Sequence, residues 1–335
     1  MTLESRIQAF IQLGERIRHL PDDLRQQWHG RAGMHNNWFT PENVQLALDG
    51  IGGYLREAEL RQWVQAYDFT RVTPRRVGVV MAGNVPAAGF HDALCVLLSG
   101  HHLHARLHAQ DPFLPVALTG LLTEVEPAFA PQIHFTERLN GVDAFIAAGN
   151  KEVSGYLQQY LGKKPHLIRQ HRTACAVLTG GETPGELEAL GGDVFGYFGL
   201  GPRSVSKLLV PEGYVFDPFF ENLRTYAAVI HHHRYVNNYD YNKSVYLVNQ
   251  VPHLDNGFLL LTQSAELVSP VGVLYFDTYR RESELAAKLE ALSPTAVLSP
   301  GGRYPGSIPF GRARYPHAWE YPGPADTMQF LLSME

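Results

Sequence analysis

The sequence predicts an α/β fold, and three observations favour this class. The chain has 335 residues, which is too long for one small core and suggests two domains or one large α/β unit. From residue 71 onward, short β-branched runs alternate with helical segments, the pattern of βαβ units on a parallel sheet. A loop rich in turn residues at 179–185 marks a candidate domain boundary.

The first 70 residues predict a helical arm. Thr40 can cap a helix, Pro41 suits its first position, and Glu42 complements the helix dipole. Asp22 or Asp23 can cap an earlier helix in the same way. The arm is therefore expected to contain helices only.

The remaining elements follow from the alternation of patterns. Strands are predicted at 77–81, 103–107, 133–135, 144–147, 205–210, 244–248, 257–261 and 271–276. Helices are predicted at 89–98, 152–161 and 283–292. The tail at 299–324 is rich in Gly, Pro and Arg and predicts an ordered loop. The expected regions are a helical arm at 1–70, an α/β domain at 71–187 and a second α/β domain at 188–335.

Composition and charge limit the possible partners. Hydrophobic residues make up 45% and charged residues 18%, as in a well-packed soluble protein. A net charge of −5 offers no electrostatic footprint for nucleic acid or for an anionic membrane. The apolar run at 77–100 is interrupted by polar residues and glycines, so it predicts strand, turn and buried helix rather than a membrane span.

Two cysteines, Cys95 and Cys175, both lie in apolar runs, which favours a reducing compartment over a disulfide framework. The first residues show no basic segment followed by an apolar one, so we expect no signal peptide. Together these features predict a cytoplasmic protein. The sequence does not determine the oligomeric state, and a homo-oligomer is one alternative.

Small residues end two of the predicted strands. Gly83 and Asn84 follow one strand, and Gly149 and Asn150 follow another. In open α/β sheets, ligands bind at the carboxyl ends of strands, beside helix N-termini that favour phosphate. Neither turn is a GxGxxG or a phosphate-binding P-loop sequence, so two ordinary βα turns remain an equal alternative.

Several longer runs resemble one known family. They are VGVVMAGNVP at 77–86, LLSG at 97–100, RLHAQDP at 106–112, FGYFGLGPRSVSKLLVPEG at 195–213, NNYDYNK at 237–243, PHLDNG at 252–257 and DTM at 326–328. Together they resemble the LuxC-type fatty-acyl reductases, which share the aldehyde dehydrogenase frame. The resemblance extends from about residue 77 to the C-terminus.

The resemblance implies a fold and an activity. The fold would be aldehyde dehydrogenase-like, with a Rossmann-type cofactor domain and a second, catalytic α/β domain. The activity would be NADPH-dependent reduction of a fatty acyl thioester, such as an acyl-CoA or an acylated protein, to the aldehyde. The family typically works with an acyl-transferase or acyl-protein synthetase partner that hands over the acyl group.

The same resemblance assigns roles to individual residues. Asn84 matches the asparagine whose amide stabilises the oxyanion of the thiohemiacetal, although a simple helix cap is an alternative. Arg106 stands where the family has a lysine that contacts the adenosine ribose. An arginine there can bind a 2′-phosphate, which favours NADPH over NADH, and a surface arginine is the alternative. Gly83 belongs to the first cofactor turn, and Gly149 and Asn150 match the second.

Two departures from the family pattern concern catalysis. The stretch that carries a water-activating glutamate in hydrolytic aldehyde dehydrogenases reads LIRQHR at 167–172, without a carboxylate. This fits a reductase, which must protect its thioester from water. The pattern Phe-Gly-x-Gly-Cys-Arg-x-Val-Ser-Lys begins here at Phe198, so the nucleophilic cysteine is replaced by Pro202. Proline has no nucleophilic side-chain atom.

Three other residues are candidate nucleophiles. Ser204 and Ser206 are near position 202, but a serine needs a base, and none is evident in this segment. Cys175 is a further candidate, with a buried, inert thiol as the favoured interpretation. A second hypothesis is therefore a catalytically impaired or inactive family member. It would bind nucleotide or acyl groups, or act as a scaffold for the acyl-transfer partner.

Three histidines suggest a metal site as a further alternative. His102, His104 and His108 would share one face of a strand, but their spacing matches no standard zinc pattern. Hydrogen-bonded or solvated histidines are the favoured interpretation, and we expect no metal.

Overall fold

The chain divides into two units. The computed structural model describes residues 1–149, 164–170, 173–321, 323 and 325–334. Unit 1 consists of residues 1–171 and 315–335, and unit 2 consists of residues 172–314. In the described residues, no helix is both long and apolar enough to cross a membrane.

The N-terminal arm of unit 1 is helical. Its helices are α1 (Leu3–Arg18), α2 (Asp22–His35), α3 (Pro41–Tyr54) and α4 (Glu57–Val64). The predicted cap of α3 is confirmed, because the Thr40 side chain accepts a hydrogen bond from Asn43 N. The predicted cap of α2 is wrong, because Pro21 is the N-cap residue and Asp22 and Asp23 lie in the first helical turn.

A parallel sheet forms the centre of unit 1. Its strands are β1 (Arg76–Val80), β2 (His102–Arg106), β3 (Ile133–Phe135), β4 (Ala144–Gly149) and β5 (His166–Gln170), in the order β3-β2-β1-β4-β5. The helix α5 (Phe90–Ser99) connects β1 to β2, and α6 (Leu114–Val125) follows β2. The predicted strands and the helix at 89–98 are therefore confirmed. The helix predicted at 152–161 lies outside the described residues.

The C-terminal segment returns to unit 1. Its helix α11 (Thr327–Leu332) packs against α5, and Met328 and Leu331 join the apolar core that α1, α3 and α5 also build. Arg169 Nη1 donates a hydrogen bond of 2.8 Å to Asp92 Oδ2, and Arg169 Nη2 donates to Thr327 Oγ1. Arg169 of β5 is thus joined to α5 by a buried ion pair and to the tail by a hydrogen bond.

A second, larger sheet forms the centre of unit 2. Its strands are β6 (Ala174–Val177), β7 (Val205–Pro211), β8 (Leu254–Asp255), β9 (Leu260–Gln263), β10 (Val273–Tyr279), β11 (Val297–Ser299) and β12 (Ile308–Pro309). They are ordered β12-β11-β6-β7-β10-β9-β8, and β8 runs antiparallel to β9. The helices are α7 (Pro184–Phe195), α8 (Asp217–Asn222), α9 (His233–Val248) and α10 (Glu282–Leu292).

The division between the units differs from the predicted boundary at 187/188. It falls at 171/172, because β6 pairs with β7 and β11 and so belongs to the second sheet. The loop at 179–185 instead ends in a capping box: Thr183 accepts from Glu186 N, and the Glu186 carboxylate accepts from Thr183 N. Residues 315–335 belong to unit 1, although the sequence suggested the second domain.

The strand predicted at 244–248 is wrong. These residues are the last turns of α9, which begins after the N-cap residue His232. Tyr235, Tyr239 and Asn242 are buried along one side of this helix at helical spacing. Burial of that side outweighs the β-propensity of the short Val-Tyr-Leu-Val run at its end.

Candidate functional site

The strand order of unit 1 creates a candidate ligand-binding edge. Successive connections run from β1 towards β3 on one side and from β4 to β5 on the other, so the order reverses between β1 and β4. At such a reversal the carboxyl ends of neighbouring strands open a crevice in which ligands of α/β proteins bind. The loop after β1 at 81–89 and the end of β4 at Gly149 lie at this edge.

Two glycines of the loop after β1, Gly83 near its start and Gly89 at its end, permit close packing. A Cβ atom on Gly83 would lie 2.6 Å from His108 Cγ, and one on Gly89 would lie 2.7 Å from Met81 Cβ. Asn36 Nδ2 donates a hydrogen bond of 3.2 Å to the Gly83 carbonyl. Only glycine allows the backbone to approach its neighbours this closely at either end.

Asn84 lies within this loop and is half-buried. The alternative that Asn84 caps the following helix is wrong, because α5 begins at Phe90 and its N-cap residue is Gly89. A capping role therefore does not account for an asparagine at this position.

A buried carboxylate joins the loops that follow β1 and β2. Asp111 is 2% exposed, and its Oδ2 accepts a hydrogen bond of 2.7 Å from Ala87 N. Its Oδ1 accepts a hydrogen bond of 3.3 Å from Leu114 N, at the start of α6. Burial raises the pKa of Asp111 to about 7, and the two backbone hydrogen bonds oppose this rise. In the sequence, Asp111 is distinguished only by its place in the run RLHAQDP at 106–112, so this contact was not predicted.

Two of the other predicted cofactor residues, Arg106 and Gly149, lie at strand ends. Arg106 is the last residue of β2, and its side chain is exposed. Its carbonyl accepts a hydrogen bond of 3.0 Å from Met81 N, which places it beside the loop after β1. Gly149 is the last residue of β4 and pairs with Gln170 of β5. Asn150 lies outside the described residues.

Pro202 occupies a tight turn in unit 2. Ser204 N donates a hydrogen bond of 3.0 Å to the Gly201 carbonyl, which closes the turn 201–204 just before β7. Pro202 is the second residue of this turn, where proline is favoured because its φ is already fixed. The expected nucleophile position is thus a turn position that proline stabilises.

The two nearby serines use their hydroxyl groups in local hydrogen bonds. Ser204 Oγ accepts from Gly201 N at 3.1 Å and donates to the Gly196 carbonyl at 3.3 Å. Ser206 Oγ contacts Thr173 Oγ1 and donates to the Leu267 carbonyl at 2.7 Å. Both serines are almost fully buried, so their hydroxyls support the backbone.

Both cysteines of the chain are fully buried. Cys175 lies on β6 in an apolar cluster with Val177 and Leu209, and burial raises the pKa of its thiol to about 12 although Lys207 opposes the rise. Cys95 lies within α5, and burial raises the pKa of its thiol well above the ordinary value. A thiol is nucleophilic only as its thiolate, so neither has the properties of a catalytic cysteine.

The histidines do not gather into a metal centre in the described part of the chain. His104 and His134 are partners on β2 and β3, with ring centroids 4.7 Å apart. His108 lies beyond the end of β2 and packs against Gly83. Among the described residues, no group of three His, Cys, Asp or Glu side chains is placed to hold a metal ion.

Two other family-like runs meet in unit 2. Tyr239 Oη donates a hydrogen bond of 2.6 Å to Asp255 Oδ1, and Lys243 Nζ lies 2.7 Å from Asp255 Oδ2. Burial opposes ionisation of Asp255, but Lys243 and Tyr239 outweigh it and lower the pKa of that carboxyl. This contact could not be predicted, because residues that are far apart in sequence give no local signal of their contact.

No protein-family model matches the sequence. No curated protein matches it at a significant level. Solved structures do match. A putative aldehyde dehydrogenase from Burkholderia cenocepacia has a TM-score of 0.65 at 12% identity, over 88% of this chain and 73% of that one. An NADP-dependent enzyme from E. coli has a TM-score of 0.64 at 15% identity, over 96% and 77%.

A third structure is the Mycobacterium tuberculosis aldehyde dehydrogenase in complex with NAD+. Its TM-score is 0.62 at 12% identity, over 89% of this chain and 73% of that one. At such low identity these matches establish the fold alone. The prediction of an aldehyde dehydrogenase-like α/β fold is confirmed.

Proposed function

We propose that this chain binds a nicotinamide dinucleotide at the carboxyl edge of the unit 1 sheet and is a LuxC-type protein that has lost the covalent acyl-enzyme step. One observation carries the second half of the proposal. Pro202 fills the expected nucleophile position, and both thiols of the chain, Cys95 and Cys175, are fully buried. Covalent capture of an acyl group in this family requires an accessible thiolate.

Several features of unit 1 support the proposal that it binds a nucleotide. The strand order reverses between β1 and β4, and Gly83 permits a close backbone approach beside that reversal. Two structures with a similar fold are described as an NADP-dependent enzyme and as a complex with NAD+. Arg106 at the end of β2 favours NADPH, because a guanidinium can bind a ribose 2′-phosphate through two hydrogen bonds. Gly149 and Asn150 would form the second turn of this site.

A second candidate function is reduction of a fatty acyl-CoA to the aldehyde without a covalent intermediate. Asn84 favours it, because this asparagine lies in the loop after β1 and does not cap α5. The bound dinucleotide would supply the hydride. An acyl-transferase or acyl-protein synthetase would be the partner under either function, in the cytoplasm.

The first experiment separates binding from catalysis. NADPH fluorescence is titrated with the purified chain, which is then incubated with a long-chain acyl-CoA and NADPH. We expect NADPH binding, no acyl adduct by intact mass and no loss of NADPH absorbance. NADPH consumption would favour the second candidate over the first, and an adduct on Cys95 or Cys175 would contradict the loss of the covalent step.

The second experiment restores the nucleophile. Pro202→Cys is compared with Pro202→Ala, which removes the same ring without adding a thiol. If the acyl site is retained, Pro202→Cys gains an acyl adduct by intact mass and Pro202→Ala does not. If neither variant is acylated, the acyl site has been lost along with the nucleophile, and nucleotide binding remains the only proposed activity.

A further inference from the structure

The loop after β1 is held at its middle by a side chain from the next βα connection. Asp111 accepts hydrogen bonds from Ala87 N at 2.7 Å and from Leu114 N at 3.3 Å. Ala87 belongs to the loop after β1, whereas Leu114 begins α6. One buried carboxyl group therefore connects the two loops at the ligand-binding edge.

The hydrogen bond to Ala87 supports an unusual backbone conformation. Ala87 has a φ of +55°, in the left-handed region that a residue with a Cβ atom rarely adopts. The ends of the loop are fixed separately, because Gly83 packs against His108 and Gly89 packs against Met81. Between these two ends, Asp111 holds the backbone at Ala87.

We propose that Asp111 is a positioning residue for the dinucleotide. Asp111 holds residues 83–89 in the conformation that receives the ligand, and it does not itself contact the ligand. The inference rests on the proposed nucleotide binding. A loop that is ordered in advance spares the ligand the entropy of ordering it.

The ionisation of Asp111 is compatible with an anionic ligand nearby. An ionised carboxylate would repel the phosphates of a dinucleotide. Burial raises the pKa of Asp111 to about 7, so the neutral form is well populated near neutral pH. With part of its population neutral, Asp111 repels a nearby phosphate less than an ordinary, fully ionised carboxylate would.

The test compares Asp111→Asn with Asp193→Asn. Asparagine keeps the size of Asp111 but presents an NH2 group to one of the two backbone donors, so one hydrogen bond is lost. Asp193 is a matched buried carboxyl in unit 2: it is 0% exposed, accepts from Gly311 N, and burial raises its pKa to about 6. We expect Asp111→Asn to raise the Kd for NADPH roughly tenfold, and Asp193→Asn to leave it unchanged.

Two further measurements distinguish a local change in the loop from a general loss of stability. In the ligand-free protein, amide hydrogen exchange at Ala87 and Leu114 should accelerate in Asp111→Asn and not in Asp193→Asn. Adding Ala87→Gly to Asp111→Asn should recover part of the lost affinity, because glycine adopts a positive φ without steric cost.

The outcomes are distinguishable. The inference is overturned if Asp111→Asn binds NADPH as tightly as the wild type, or if Asp193→Asn weakens binding equally. If the wild-type chain binds no NADPH, the proposed function fails. Exchange at Ala87 and Leu114 then still decides whether Asp111 holds the loop.

Discussion

At the scale of single residues, burial determines which groups can react. The chain contains two thiols, and both lie in apolar surroundings that suppress the thiolate. Ser204 is close to the expected nucleophile position, but its hydroxyl already accepts from Gly201 N and donates to the Gly196 carbonyl. Asp111 is a buried acid at the candidate ligand edge, and it accepts hydrogen bonds from two backbone N–H groups.

Burial of the thiols predicts their reactivity. In the native protein, neither Cys95 nor Cys175 should react with a thiol-specific reagent on the timescale of a free cysteine, because reaction requires an accessible thiolate. In denaturant both should react. A chromogenic disulfide reagent measures the number of reactive thiols in each state. Rapid modification of either thiol in the native protein would contradict the burial of both cysteines.

The raised pKa of Asp111 predicts a pH dependence of stability. The folded protein holds a proton on this carboxyl up to about pH 7, whereas the unfolded chain releases it near pH 4. The folded state therefore binds more protons in this window, and the contribution of Asp111 to stability falls as pH rises through it. Over the whole window the loss is of the order of a few kcal/mol.

Asp111→Asn does not titrate and should lack this contribution. Urea unfolding of both proteins across the window measures it as a difference, which removes the other titrating groups that the two proteins share. A difference in unfolding free energy that stays constant with pH would show that Asp111 titrates normally in the folded state.

At the scale of elements, β1 to β4 of unit 1 could be predicted, whereas β5 and some longer-range features could not. Short β-branched runs between glycines and polar turns identified β1 and β2 within a residue or two of their observed ends. The end of α9 was mistaken for a strand, because its Val-Tyr-Leu-Val run has β-propensity and its buried side is visible only in the folded helix. Pro202 could be predicted as a departure from the family, but its turn could be described only from the Gly201–Ser204 hydrogen bond.

Close packing at Gly83 predicts an asymmetric response to added methyl groups. Gly83→Ala should destabilise the protein by about 1–3 kcal/mol, because the new Cβ overlaps the side chain of His108. Gly120→Ala is the control: Gly120 lies within α6 and a Cβ there meets no atom within 4 Å. It should stabilise the protein by about 0.5–1 kcal/mol, because alanine favours a helix. Urea unfolding measures both, and equal effects of the two substitutions would contradict the packing at Gly83.

At the scale of the whole molecule, unit 1 is built from two distant parts of the chain. The sequence placed the last residues in the second domain, because domain membership depends on contacts far apart in sequence. Trp63 Nε1 donates to Tyr321 Oη at 2.9 Å, and Tyr67 Oη donates to Asp326 Oδ2 at 2.6 Å. These bonds connect the N-terminal arm to the tail, and Arg169 adds its bond to Thr327.

The buried ion pair predicts a large penalty when one partner is removed. Arg169→Met leaves Asp92 as an uncompensated buried charge and should cost about 3–5 kcal/mol of unfolding free energy. Adding Asp92→Leu removes that charge and should recover much of the loss, because two apolar residues replace the pair. Urea unfolding of the single and double variants tests this. A double variant less stable than Arg169→Met would contradict the role of the charge.

The return of residues 315–335 to unit 1 also has a consequence for biosynthesis. A ribosome makes the N-terminal arm, the first sheet and then all of unit 2 before it makes α11. Unit 2 is a continuous segment and can fold while translation proceeds, since domains fold as units during synthesis. Unit 1 is begun first and completed last, and until the tail emerges, the core positions of Met328 and Leu331 stay unfilled. A released chain truncated after residue 314 is therefore expected to protect unit 2 from protease while unit 1 is still cleaved.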